Sequence, residues 1–405
     1  MTDKRYLSAH EAADALGISL STLYAYVSRG LIRSEASGES QRSRRYHAED
    51  VEQLIARKAA RHSPEKLAQS ALHWGSPLLE SAITLIADGR LYYRGHDAIA
   101  LATTQLVEQV AALIWTGDLD QPIPALAERP TGDYDSLRRQ LGDLTPVERF
   151  QVILPLAASA DLAAFDLRQG AVVSSGARLL RLMTLIAAGD SPPDAGIAGT
   201  LQRAWVPDDP QAADLINAAL ILCADHELNV SSFTARAVAS AGSTPYQVVL
   251  AGLSALQGIK HGGHTPRVEA FLREAGETGG VRAVIADWLK RGEILPGFRH
   301  PLYPDRDPRG ALLVELVHEA YPDSPTVALA QAVIEQAQTL IEGRPNLDFG
   351  LALVGRALSL PAGGALALFA LGRTIGWIGH ALEQYAEDRL IRPRARYTGV
   401  QPGDE

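Results

Sequence analysis

From about residue 71 onward, apolar residues recur at the three- and four-residue intervals of a helix face. The stretches 98–115, 146–163, 171–188, 211–223, 246–257, 311–321, 325–342 and 363–391 read as alanine- and leucine-rich amphipathic helices. Strict alternation is scarce. The strand-like piece of note is Leu91-Tyr92-Tyr93-Arg94, set between the turn signal Asp88-Gly89 and Gly95. Clusters of Pro and Gly at 191–198, 262–266, 296–310 and 359–364 punctuate helices, and no internal repeat is evident. The expectation for this region is an all-α fold.

The first 56 residues follow another pattern. Ser8 and Glu11 form a capping-box signature for a helix that stops near Gly17, and Ser19 can cap a second helix from Leu20 to about Arg29. The polar stretch Glu35 to Arg45 reads as a wing. A third helix is expected from about Ala48 through Val51, Leu54 and Ile55, with a linker at 57–70 containing Pro64. The second helix offers Ser21, Thr22, Tyr24 and Tyr26, and the wing offers Arg42, Arg44 and Arg45, the groups a major-groove reader needs. The runs Ala9 to Glu35 and Ser43 to Leu54 resemble the MerR and excisionase-type winged helix-turn-helix family. That resemblance implies contact with DNA through these residues. The alternative is a retained folding or oligomerisation element.

Charge separates the two regions. Residues 1–66 hold 11 Lys and Arg against 9 Asp and Glu, leaving 27 against 38 for the remainder of a 405-residue chain of net charge −9. Only the first region is electrostatically permissive for nucleic acid. A single cysteine, Cys223, excludes an intrachain disulfide and a cysteine-rich metal site, and it fits a reducing compartment, so the cytoplasm is expected. No signal-peptide stretch and no membrane span are read from the chain, and no partnership with a membrane is expected. His261 and His264 lack a third and fourth ligand nearby, so no metal is expected.

Three motifs join titratable residues to small or turn-forming neighbours. The first is Ala224-Asp225-His226-Glu227-Leu228-Asn229-Val230-Ser231, leading on to Gly258-Ile259-Lys260-His261-Gly262-Gly263. The second is Pro296-Gly297-Phe298-Arg299-His300, ending in Asp307-Pro308-Arg309, and the third is Pro345-Asn346-Leu347-Asp348-Phe349. In this order and spacing they resemble the citrate synthase family. Further matches lie at Tyr93 to Asp97, Ala112 to Gly117, Gly372 to His380 and Arg389 to Arg394, so the resemblance spans about residues 72–400.

The resemblance implies a two-domain helical fold, with a large domain at 71–226 and 346–400 and a small one at 227–345. It implies condensation of acetyl-CoA or propionyl-CoA with a 2-oxo dicarboxylic acid such as oxaloacetate, as in the tricarboxylic acid cycle, with acyl-CoA as cosubstrate and no other cofactor. Asp348 would take a methyl proton, His226 would hydrogen-bond the thioester oxygen, and His300 would protonate the ketone. The proton transfer is uphill by about 20 kcal/mol for an unaided carboxylate, so a base alone is insufficient. Arg309, Arg373 and Arg392 would bind the substrate carboxylates, the last across a homodimer interface. Lys260, His261, Gly262, Gly263 and Arg306 are the candidates for CoA. The chain departs from the family pattern in having no histidine at 180–200, Arg299 for a customary Gly, Pro301 and Pro304 in the second motif, and His264 for a usual Ala. A reading from another class is a DNA-binding transcriptional regulator whose synthase-like domain senses a metabolite.

Overall fold

The computed structural model describes residues 6–28, 32–36, 44–48, 50–51, 79–128, 134–189, 196–277, 280–395 and 397–402. Two compact units divide at Glu80 and Ser81. The first contains β1 (Tyr6–Leu7), α1 (Ala9–Leu16), α2 (Leu20–Ser28), β2 (Ser34–Ala36) and β3 (Arg44–His47). The strands form an antiparallel sheet in the order β1-β3-β2. At the start of α1, the Glu11 amide donates to Ser8 Oγ at 3.2 Å and the Ser8 amide donates to Glu11 Oε2 at 2.8 Å. Gly17 closes the helix at φ 59°, a left-handed cap that glycine adopts without steric cost. Ala12, Ala13, Leu16, Leu23, Ile32, Tyr46 and Val51 form the small core beneath. The wing is therefore a β2–β3 ladder, with Glu35 opposite Arg45 and Ala36 opposite Arg44. Arg29, Arg42, the linker at 57–70 and most of the expected third helix lie outside the described residues.

The second unit opens with an antiparallel meander, β4 (Thr84–Ala87), β5 (Arg90–Tyr93) and β6 (His96–Asp97). Asp88 and Gly89 have φ of 51° and 71°, and Arg94 and Gly95 have φ of 48° and 85°. Both connections are two-residue turns with positive φ at each position, which match the twist of the strands they join. Arg94 is held in this unusual conformation by its guanidinium, which donates to the Ile114 carbonyl at 2.9 and 3.2 Å.

The helices that follow are α3 (Ala98–Thr104), α4 (Val107–Thr116), α5 (Tyr134–Gln140), α6 (Pro146–Ala160), α7 (Gln169–Ala188), α8 (Ile197–Trp205) and α9 (Ala212–Cys223). Then come α10 (Val230–Ala239), α11 (Pro245–Leu256), α12 (His264–Glu277), α13 (Val281–Lys290), α14 (Pro308–Ala320), α15 (Pro325–Ile341), α16 (Leu347–Ala357) and α17 (Gly364–Glu387). The expected single helix at 98–115 is two helices. Its break at Gln105 and Leu106 is sealed from a distance: Asn217 accepts from the Val107 amide at 2.9 Å and donates to the Gln105 carbonyl at 2.8 Å.

Helix α17 is buried almost all round and packs against α4, α7, α9, α10 and α11. A helix apolar on every side belongs in the centre of a large core. Both α7 and α17 are long and apolar enough to cross a membrane by length and composition, which no window of the sequence was expected to be, but both are mostly buried as core helices. Gly372 and Gly376 face the Leu220 and Ala224 carbonyls so closely that a Cβ at either would overlap the backbone. This close approach sets Arg373, between them, beside the end of α9.

Candidate active site

His226 sits in the short turn between α9 and α10, and its neighbours are fixed on both sides. Before it, Asp225 accepts from Thr84 Oγ1 at 2.6 Å and pairs with His380 Nε2 at 3.2 Å, while the Tyr93 hydroxyl donates to the Ile221 carbonyl at 3.0 Å. After it, Glu227 takes a φ of 52° and Asn229 caps α10, accepting from the Ser231 and Ser232 amides, each at 3.1 Å. The ring is buried, and its Nε2 lies 3.0 Å from the Tyr303 hydroxyl. Burial, with Arg309 and His300 close by, pushes its pKa well below the ordinary imidazole range, so the ring is neutral.

His300 stands on the segment between α13 and α14, anchored to the start of α16. Arg299 donates its amide to the Arg344 carbonyl at 2.9 Å, and the Asn346 amide donates to the Gly297 carbonyl at 2.9 Å. Arg299 has a φ of 64°, a conformation suited to the glycine customary there, and its guanidinium is tethered to the Ile341 carbonyl. The Leu302 amide donates to His300 Nδ1 at 3.1 Å. That nitrogen is an acceptor, so the neutral ring carries its proton on Nε2. Burial and Arg309 push the His300 pKa down to about 4. The two imidazoles meet edge to face, with ring centroids 5.1 Å apart.

Arg309 and Asp348 sit in the first turns of α14 and α16. Asp307 caps α14 and binds Arg309 through a buried fork, Nε to Oδ1 at 3.0 Å and Nη2 to Oδ2 at 2.8 Å. It also accepts the Leu347 amide at 3.1 Å, which ties the two helix starts together. Asp348 is half-buried, and Thr265 donates its hydroxyl to Oδ1 at 2.7 Å. Burial raises its pKa, opposed by the Thr265 hydrogen bond, His264 and Arg309. Arg373 is buried and donates from Nε to the Cys223 carbonyl at 2.7 Å. It contributes to the field that depresses His226.

The structure thus brings His226, His300, Arg309 and Arg373 into one electrostatically coupled group, with Asp348 sensing Arg309. Lys260, Arg306 and Arg392 are exposed, and Gly262 is buried beside half-buried Gly263. His261 reaches Ser231 Oγ at 2.7 Å under the start of α10, and burial pushes its pKa down to about 3. On α2, Ser21 and Tyr24 are exposed and Thr22 is half-buried. Arg44 donates to Ser34 Oγ at 3.0 Å, while Arg45 pairs with Glu35 at 3.1 Å and lies over the Tyr6 ring. Sequence reasoning missed Thr265 and Tyr303. Tyr303 lies three residues after His300, and Thr265 directly follows the displaced His264, which is the signal that could have drawn attention to it. Among the described residues no group of three or more His, Cys, Asp or Glu could hold a metal ion.

Neutral imidazoles and a carboxylate of raised pKa, all within the field of the buried Arg309 guanidinium, are suited to proton abstraction next to a carbonyl and to stabilising the charge that follows. The family described as citrate synthase, C-terminal domain, matches residues 71–394, and the helix-turn-helix domain family matches residues 6–59. Citrate synthase 2 of Bacillus subtilis is 30% identical over 345 residues, covering 79% of this chain and 93% of that protein. The citrate synthase of Haloferax volcanii is 30% identical over 346 residues, covering 78% and 91%. The crystal structure of citrate synthase from Thermotoga maritima superposes with a TM-score of 0.69 at 25% identity, covering 80% of this chain and 94% of the other. The chain belongs to the citrate synthase family and carries an N-terminal helix-turn-helix domain.

Proposed function

We propose that this enzyme condenses acetyl-CoA or propionyl-CoA with oxaloacetate, giving citrate or 2-methylcitrate and free CoA. The observation that carries the assignment is Asp348, a carboxylate of raised pKa held by Thr265 near the guanidinium group of Arg309. Asp348 removes the methyl proton while His226 donates a hydrogen bond to the thioester oxygen, so negative charge is shared as it forms. His300, with its proton on Nε2, donates to the ketone of the oxo acid and protonates it as the carbon–carbon bond closes. Water then hydrolyses the thioester. Arg309 and Arg373 take the oxo acid's carboxylates, with Arg392 supplied by a second copy of the chain. Lys260, Arg306 and the His261-Gly262-Gly263 turn line the CoA side. The acid–base groups supply the chemistry without a metal or prosthetic group, and the lone buried Cys223 suits the cytoplasm.

A homodimer is part of this reading. Val152, Leu156, Leu162 and Phe165 expose apolar surface on α6 and the turn that follows it, a patch suited to a second copy. The division into a large domain at 71–226 and 346–400 and a small one at 227–345 is proposed with it. Thiol release from acetyl-CoA and propionyl-CoA with oxaloacetate tests the assignment. Release should vanish in Asp348→Ala, and no release with either acyl-CoA refutes it.

The helix-turn-helix unit favours a second reading, a transcriptional regulator responding to metabolite. Exposed Ser21 and Tyr24 on α2, with Arg44 on the wing strand, are the groups that would meet DNA. Gel shifts of genomic fragments with and without oxaloacetate or CoA test it, and absence of binding at low salt removes it.

A further inference from the structure

Resting on the condensation just proposed, we infer that Tyr303 is a positioning residue that donates its hydroxyl to His226 Nε2 and thereby places that ring's single proton on Nδ1, the nitrogen left to donate to the thioester oxygen. Tyr303 is 2% exposed and packs against both imidazoles, with ring centroids 5.6 Å from His226 and 5.1 Å from His300. Its hydroxyl is 3.0 Å from His226 Nε2. A neutral imidazole has one donor and one acceptor nitrogen, so the partner at Nε2 decides which nitrogen donates at the other edge. If Nε2 carried the proton, the buried phenol proton would lack an acceptor among the described residues, and burying an unmatched donor is costly. The phenol keeps its proton, because burial pushes its pKa up to about 12.

The same turn sets the second ring. Tyr303 donates its amide to the His300 carbonyl at 3.1 Å, closing the turn in which the Leu302 amide meets His300 Nδ1 at 3.1 Å. Leu302 thus leaves His300 with a proton on Nε2, and Tyr303 leaves His226 with one on Nδ1. Two neutral histidines of opposite tautomer are prepared by adjacent residues of one turn. Each ring then has a donor for one oxygen of the reacting pair.

The test uses the full-length protein with nitrogen-15 in its histidines, as wild type and as Tyr303→Phe, with thermal melting to confirm that the variant folds. The His226 signals are assigned by their loss in His226→Gln. Wild type is expected to show a protonated Nδ1 and an unprotonated Nε2. Tyr303→Phe should shift the ring toward a protonated Nε2 and lower kcat about tenfold, with KM for oxaloacetate changed less than about twofold. A protonated Nε2 in wild type, or an unchanged tautomer in Tyr303→Phe, overturns the inference. Failure of the condensation reading shows differently, as absent thiol release or release indifferent to Asp348→Ala, whereas the tautomer is read without any turnover.

Discussion

Replacing Thr265 by Val removes the hydroxyl that donates to Asp348 Oδ1 at 2.7 Å and leaves the shape of the fully buried side chain nearly unchanged. An ionised carboxylate can only accept, so this hydrogen bond supports the charged form and opposes the burial that raises the Asp348 pKa. A hydrogen bond to a charged group contributes about 1.5–3 kcal/mol, and the lower figure applies because His264 and Arg309 still oppose protonation. About 1.5 kcal/mol corresponds to about one pH unit. The acid limb of kcat/KM in Thr265→Val is therefore expected about one pH unit higher than in wild type. Thr265→Ser, which keeps the hydroxyl, should leave the limb in place. Thiol release measured from pH 5 to 9 at subsaturating acyl-CoA reads the limb directly. An acid limb unmoved in Thr265→Val, with activity lost equally at every pH, would refute the reasoning and make Thr265 a packing residue only.

Stability should fall as pH is lowered from 6.5 toward 4. Burial depresses His226, His261 and His300, the last two to about 3 and about 4, so in this window the unfolded chain binds protons that the native rings do not. Each ring contributes up to about 1.4 kcal/mol per pH unit, opposed in part by Asp348, whose native pKa is raised. Urea midpoints at pH 7, 6 and 5 check this, and a flat series contradicts it. Arg309→Lys should cost about 2 kcal/mol of stability and raise KM for oxaloacetate more than about tenfold, because an ammonium cannot reproduce the buried fork to Asp307. Urea titration and steady-state kinetics on one preparation check both effects, and wild-type values for either would count against the assigned geometry.

Local chemistry was the most legible part of the chain. Ser8, Glu11 and Gly17 announce the ends of α1, and Asp88-Gly89 announces a hairpin, because each is a contest among neighbours a few residues apart. The break between α3 and α4 was illegible, since the group that stabilises it is Asn217, more than a hundred positions away. Helices α5, α8, α10, α12, α13 and α16 also fall outside the stretches the periodicity marks, most of them short or mixed in polarity. At the site, His226, His300 and Asp348 are proposed from the family resemblance that three motifs carry in their order and spacing. Tyr303, inside the second motif, and Thr265, next to His264, are titratable or polar neighbours whose contacts the motif itself does not reveal. Each acquires a role only when folding sets its hydroxyl against a titratable group from another element.

The proposed domain division gives these contacts a mechanical sense. In that division the chain would cross between domains at 226/227 and 345/346, and His226 and Asp348, proposed to act on the acyl group, would stand on the large-domain side of those crossings. His300 and Arg309, proposed for the oxo acid, would stand on the other side, while Arg373, proposed for the same substrate, would stand with the large domain. Asp307 bridges the second crossing, holding Arg309 with one edge of its carboxylate and the Leu347 amide with an oxygen of that edge, while Gly310 packs on the backbone of Asn346 too closely to admit a Cβ. An oxo acid held by Arg309 and Arg373 would then be gripped from both sides of the proposed joint. On this reading the Tyr303–His226 contact, which joins the two sides across the first crossing, is the place where closure and the protonation of the thioester's partner are coupled.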